Sequence, residues 1–322
     1  MSQTTTSNYE VWPGRSDGFE TVTLASPGGA LEATFAPEAG MIGCSLRHFG
    51  EELLHQGDGL AEYAASGATF GIPLLYPWAN RLAGFDYTAA GRTVSLERSS
   101  PLLQLDEHGL PIHGLLTASP HWILEQVPAD ERAATLTATF DFAAHADLLA
   151  AFPFPHRLQM DVRLTGTELS LTTTVTPDGV DVPVSFGYHP YLQVPGAPRE
   201  QWQIELPVRE HLVLDERMIP TGEREPVRYE PAPLGARSFD DGYAGLEPGR
   251  PFAVTAAGRR IEARFGERLP FAQVYSPPGA QFICFEPMTA PTNALRAGEL
   301  LPLVRPGESF AAAWSIRVAE PS

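Results

Sequence analysis

Apolar and polar residues alternate with a period of two along most of this chain, and that pattern commits it to strands. Leu158, Met160, Val162 and Leu164 face one way; after a turn at 165–168 the alternation resumes at Leu169, Leu171, Thr173 and Val175. This is a hairpin by pattern and by turn chemistry. Phe252 and Val254 pair with Ile261, Ala263 and Phe265 across Ala257-Gly258, and Phe310, Ala312, Trp314, Ile316 and Val318 make a further strand. Shorter strands are expected at 21–25, 31–35, 93–97, 134–142, 202–206 and 281–285. Helical periodicity is confined to one or two turns over 143–152, stopped by Pro153 and Pro155. The 31 prolines and 29 glycines are spread throughout, as punctuation between many short strands. The expected fold is therefore all-β, a large antiparallel sandwich with few short helices.

Sandwiches commonly reach about 200–250 residues as one domain, so the 322 residues are read as a single domain over 19–320. Residues 1–18 are expected to form a short flexible leader, since the start has neither the basic region nor the apolar core of a secretory signal. The proline- and charge-rich stretch 223–237 reads as a long surface loop.

Charge and composition exclude several classes of function. A formal net charge of -17 argues against nucleic acids and anionic membrane surfaces as partners, which need basic patches. No apolar run approaches the roughly 20 residues of a membrane span. Cys44 and Cys284 are too few for a disulfide framework or a cysteine zinc site, and they fit buried thiols in a reducing cytoplasm, with Cys284 near enough to Glu286 to share a pocket. All 22 basic residues are arginine. Without lysine, Schiff-base aldolases, pyridoxal-phosphate enzymes and P-loop NTPases are excluded. No histidine pair has the helical spacing of a zinc site, and no GxSxG elbow is present. GDGLAE at Gly57 lacks the last glycine of a dinucleotide fingerprint and opens no clear helix. Arg259, Arg260, Arg264 and Arg268 read as a solvated strand face.

Five segments set a polar residue in a glycine, proline and aromatic context. In FGYHPY, Pro190 biases His189 towards extended geometry and supplies no N–H to continue a ladder, so His189 should sit where a strand stops. On that run alone it is either a satisfied core histidine or an aimed acid/base group. CFEPMTAP repeats the design, with Glu286 before Pro287. PWANRLAG offers Asn80 and Arg81, as hydroxyl donors or as loop-closing contacts to backbone carbonyls. PIHG offers His113, and SFDDGY offers Asp240 and Asp241, either of which also suits an Asp-Gly turn. Together they suit an uncharged, polyhydroxylated small molecule undergoing proton transfer between two of its atoms.

In order and in content these motifs resemble the aldose 1-epimerase (galactose mutarotase-like) family. The resemblance runs from about Gly28 to Val318 and rests on PWANRLAG with its following hairpin to Leu96, PIHG with Trp122 after it, FGYHPYLQVPG, FDDGY, FEPMTAPTNAL and LVRPGESFAAAWSI. It implies a β-supersandwich, a free aldohexose as substrate, no cofactor and no metal, in a monomer or homodimer. By the same resemblance Glu286 is the general base and His189 the general acid. His113 assists at the sugar, while Arg81 and Asp240, flanked by Asn80, bind hydroxyls. The mechanism expects an ionised Glu286 held by donors and a charged His189, each favoured by the other. FGIPLLYPW also resembles the hexose-6-phosphate 1-epimerase branch, and Pro277 stands where some members carry a substrate-binding glutamine. A phosphosugar epimerase, a non-catalytic carbohydrate-binding sandwich and an accessory domain of a polysaccharide enzyme are the rival readings.

Overall fold

The computed structural model describes residues 8–319. The alternating segments form antiparallel strands in two large sheets and a third of five strands, with three two-stranded ribbons beside them. The nine-stranded sheet runs, in spatial order, Ile123–Gln126, Ala134–Asp141, His156–Thr165, Glu168–Pro177, Phe310–Ala319, Arg259–Phe265, Phe252–Ala256, Gln203–Glu205 and Ala232–Pro233. The 158–164/169–175 hairpin has the expected register, with Leu164 opposite Leu169 and Leu158 opposite Val175. Phe252 likewise stands opposite Ala263, and Val254 opposite Ile261.

The second large sheet runs Pro220–Pro226, Glu210–Leu214, Phe239–Ala244, Phe271–Ser276, Ile283–Met288, Gly187–Tyr188 and Leu74–Leu75, with Tyr191–Leu192 also paired to Ile283–Met288. One contiguous apolar core extends from Val22 to Val318. The two sheets meet in it: Tyr188 packs on Trp314 with ring centroids 5.2 Å apart and bonds Thr173, and Phe285 lies 5.5 Å from Phe252. These inward aromatics fix the facing of their neighbours. With Tyr188 and Phe285 turned into the core, period-two alternation turns His189 and Glu286 to the opposite face.

Several expectations change. Glu286 is not at a strand end but inside Ile283–Met288, which runs through Pro287. The break falls on the neighbouring strand instead: Gly187–Tyr188 pairs at Met288, Tyr191–Leu192 pairs at Cys284 and Ile283, and His189-Pro190 fills the gap. A proline is tolerated in an inner strand where the adjacent ladder is already interrupted. The leader expected at 1–18 is too long. Residues 1–7 lie outside the described residues, but Glu10–Ser16 form the edge strand of the third sheet, paired to Phe19–Ala25 around Asp17-Gly18, both at positive φ. Asp-Gly between two strands is a hairpin signal in its own right. Within 223–237, residues up to Pro226 belong to a strand rather than a loop. A helix does open after Gly57, at Gly59–Ser66. The arginine run is a partly buried ion network, not a plain solvated face: Arg260 grips Glu205 and Glu262, and Arg264 grips Glu262.

Gly187 lets the interrupted strand approach closely. A Cβ there would lie 2.7 Å from the Pro287 carbonyl oxygen and 3.0 Å from Ala79 and Met288 side-chain carbons. Gly187→Ala should therefore lose about 1–3 kcal/mol of stability, as overpacked sites do. Urea unfolding checks this; an unchanged midpoint would show that the strands are free to part.

Candidate active site

The register on both sides of the gap is the same, so His189 falls directly opposite Glu286 across the interrupted pairing. His189 Nε2 lies 3.4 Å from Glu286 Oε1, and both side chains are buried. On the other flank of Glu286, Gln273 is its ladder partner, and its Nε2 donates to Asp240 Oδ1 at 2.7 Å. Three adjacent strands thus present Glu286, Gln273 and Asp240 on one face. Alternation sends Asp241 the other way, where it accepts from His211 at 3.0 Å. Of the two aspartates, Asp240 faces the cavity and Asp241 does not.

The roof comes from loops. His113 and Asn80 both have positive φ, 64° and 55°, and the His113 N–H donates to the Asn80 carbonyl at 2.9 Å. Gly114 follows because nothing larger fits: a Cβ would stand 2.1 Å from the Tyr76 carbonyl oxygen. Non-glycine residues in the left-handed region cost energy and cluster where a fold aims side chains for a purpose. Arg81 is buried and held on several sides. Its Nε donates to Asp106 at 2.7 Å, a second nitrogen reaches Asn80 Oδ1 at 3.1 Å, and the third lies 3.4 Å from Glu107 and 3.8 Å from Asp240.

All six residues expected from the sequence, Asn80, Arg81, His113, His189, Asp240 and Glu286, line one cavity of about 240 Å³. Cys284 does not line it, although period two puts it on the same face as Glu286; it is fully buried, and burial raises its thiol well above the ordinary range. None of the FGIPLLYPW side chains lines it either. Sequence reasoning missed Tyr191, Tyr275, Gln273, Glu107 and Thr69 in the wall, as well as Asp106 behind Arg81. Gln273 means that the departure at Pro277 leaves the cavity with an amide after all. Tyr191 carried a legible signal, since period two puts it on the same face as His189. Its ring stacks on His189 at 4.3 Å and 4°, and its hydroxyl lies 2.6 Å from Thr69 Oγ1 and 3.3 Å from His189 Nε2.

The charge states depart from expectation. Burial pushes the Glu286 carboxyl well above the usual carboxylate range; Asp240 adds to this and Arg81 opposes it. Burial likewise holds His189 well below the ordinary imidazole range, and His113 and Arg81 push the same way. Among the described residues no N–H donates to the Glu286 carboxylate, so the expected set of donors is missing. Both shifts work against the charged forms, the reverse of what an ion pair needs. His113 is lowered to about 3, by burial first and Arg81 second. The Nδ1 atoms of His113 and His189 are buried without a partner among the described residues. The site therefore sets two titratable groups face to face in one cavity.

Beneath the site His156 is buried, bonded to the Tyr76 hydroxyl at 2.6 Å, and lowered by burial to about 4. Because its folded pKa lies below its unfolded value, its stability contribution is complete above pH 6.5 and is lost as the pH falls towards 4. The slope is about 1.4 kcal/mol per pH unit for this residue. Urea unfolding at pH 7 and pH 5 should show that loss in the native chain, and His156→Gln should flatten the difference. Equal slopes in both proteins would contradict it.

A sequence model described as aldose 1-epimerase matches residues 40–317. Among solved structures, the chain is similar to a galactose mutarotase-like protein from Clostridium acetobutylicum, with a TM-score of 0.85, 17% identity, and coverage of 98% of this chain and 100% of the other. It is also similar to galactose 1-epimerase from Lactobacillus acidophilus, with a TM-score of 0.77, 15% identity, and coverage of 98% and 99%. The GalM/aldose epimerase homologue from C. elegans matches with a TM-score of 0.71, 14% identity, and coverage of 91% and 97%. At these identities the structural matches establish the fold.

Proposed function

The chain belongs to the aldose 1-epimerase family, and on that premise we propose that it interconverts the α and β anomers of an aldohexose by opening and closing the pyranose ring. The observation that carries this reading is the buried His189–Glu286 pair, set 3.4 Å apart by strand register in a cavity with Asp240, Gln273, Arg81 and His113 around it. In the ion-pair arrangement the carboxylate takes the proton of the anomeric hydroxyl. The O1 electrons then form the C1 carbonyl, and the C1–O5 bond breaks with its electron pair going to O5. His189 Nε2 delivers its proton to O5. Rotation about C1–C2 presents the other carbonyl face, and the reverse transfers close the ring. Both protons are carried by side chains, so the balance of the reaction calls for no cofactor.

Burial works against the charged form of each group, and substrate hydroxyls supply donors that favour the ion pair once bound. Groups poised so that a small change moves the proton are suited to general acid/base work, worth about 10²–10⁴-fold each. Arg81 and Asp240 would bind hydroxyls, with Asn80 bracing the arginine. His113, held neutral, lines the cavity and would assist at the sugar.

Among the described residues lining the cavity, Arg81 is the one basic side chain apart from histidine, and four partners already engage it. This favours a neutral sugar over a hexose 6-phosphate. Two facing titratable groups likewise favour a catalyst over a binding sandwich, which needs aromatic platforms and hydroxyl partners but no proton exchange. Two free, buried cysteines fit a cytoplasmic setting, and no described helix is long and apolar enough to cross a membrane.

Glu286→Gln and His189→Asn should each slow conversion of α- to β-glucose or galactose by about 10²–10⁴-fold, with unfolding midpoints retained. Polarimetry on fresh anomers reads this, and full activity in either variant would remove the assignment. Glucose 6-phosphate in the same assay should be turned over more slowly than glucose; the reverse order would favour the phosphosugar branch.

A further inference from the structure

Ring opening as proposed needs an imidazolium at His189 to protonate O5, yet burial, His113 and Arg81 all push against that charge. Glu286 lies 3.4 Å from Nε2 on one side. His113 and Tyr275 meet the ring edge-on, with centroids 5.5 and 5.7 Å away. One face of the imidazole is covered by Tyr191. The two rings lie parallel, with 4.3 Å between centroids and 4° between planes. An aromatic face is the negative side of the ring quadrupole, and a cation over it is favoured most where both are desolvated. Both residues are buried. A parallel stack also leaves the edge of the imidazole clear for partners in its own plane.

Tyr191 is itself held in place. Its N–H donates to the Gly71 carbonyl at 2.9 Å, and its carbonyl accepts from the His55 N–H at 2.9 Å. The loop that carries Gly71 also carries Thr69, whose Oγ1 lies 2.6 Å from the Tyr191 hydroxyl. Phe70 between them is buried against Tyr63, with ring centroids 5.8 Å apart. At Gly71 a Cβ would stand 2.4 Å from the Gly43 carbonyl oxygen, so the loop has little freedom to shift. A phenol is a stronger acid than an aliphatic hydroxyl, so Tyr191 donates and Thr69 accepts. The phenol oxygen, its proton turned to Thr69, lies 3.3 Å from His189 Nε2. It adds the negative end of a dipole to the face that the ring already covers.

Resting on the reading above, we propose that Tyr191, anchored by Thr69, is a positioning residue for the reaction: it fixes the plane of the His189 imidazole and supports the charged form that protonates O5.

The test separates charge from shape. Tyr191→Phe keeps the stack, and mono-, di- and trifluorinated phenylalanines in its place withdraw electrons from the ring face at nearly constant volume. In anomer conversion of glucose or galactose, kcat should fall stepwise along that series, to about tenfold below Tyr191→Phe for the trifluorinated ring. KM should stay within about twofold, as for an interaction made in the transition state alone. Tyr191→Phe and Thr69→Val should each lower kcat by about tenfold, the loss of one ordinary hydrogen bond, and Thr69→Ser should keep the native rate. Combined, the two losses should be no worse than Tyr191→Phe alone, because both act through one hydroxyl. A flat fluorine series would show that Tyr191 only packs, additive losses would show that Thr69 acts elsewhere, and a raised KM with unchanged kcat would show a direct sugar contact. Each of these would overturn the inference while leaving the epimerase reading intact. Native protein that accelerates no sugar would overturn both.

Discussion

The structure depends on one register. Gly187 pairs with Met288 and Tyr191 with Cys284, and the chain between them skips its ladder at His189-Pro190 without slipping. Since a slip of one residue in a strand turns every side chain to the other face, keeping register across the break holds His189 opposite Glu286. The aromatics that secure it, Tyr188 against Trp314 and Phe285 against Phe252, belong to the core between the sheets. Core packing and site geometry are therefore two sides of the same strands.

Burial then sets the chemistry. Desolvation raises the carboxyl and lowers the imidazole, so burial works against the charged form of each. There is a cost in stability. Glu286, with its folded pKa raised, contributes most below the ordinary carboxylate range and loses that contribution as the pH rises. His189, with its folded pKa lowered, loses its contribution as the pH falls below 6.5. Near neutrality the fold thus carries a carboxyl it would sooner keep protonated, a cost that positioned catalytic groups commonly impose.

Much of this was legible in the sequence, for physical reasons. Strand periodicity survives in a single sequence because one face of each strand must be buried, and the hairpins at 158–175 and 252–265 follow from it. The six polar residues stood out because glycine, proline and aromatic neighbours mark constrained backbone. What escaped was set by pairing at long range. Glu286 looked like a strand end because Pro287 lacks an N–H, and only the broken neighbouring strand explains why the strand continues. Gln273 sits in an unremarkable alternating segment and is drawn into the site by its ladder partner. The pKa shifts run against the expected charges because they depend on how deeply the groups are buried, which proximity in a motif does not convey. The strand at Glu10–Ser16 was legible in Asp17-Gly18 and was outweighed by the polar start of the chain.

The central claim is that strand register delivers one acid and one base to the two oxygens of a pyranose hemiacetal. The most direct measurement is a crystal structure of the protein with a bound aldose. It should show the anomeric O1 within hydrogen-bonding distance of Glu286 and the ring O5 within reach of His189 Nε2, with hydroxyls towards Arg81 and Asp240. A sugar bound with O1 and O5 turned away from both residues would contradict the account.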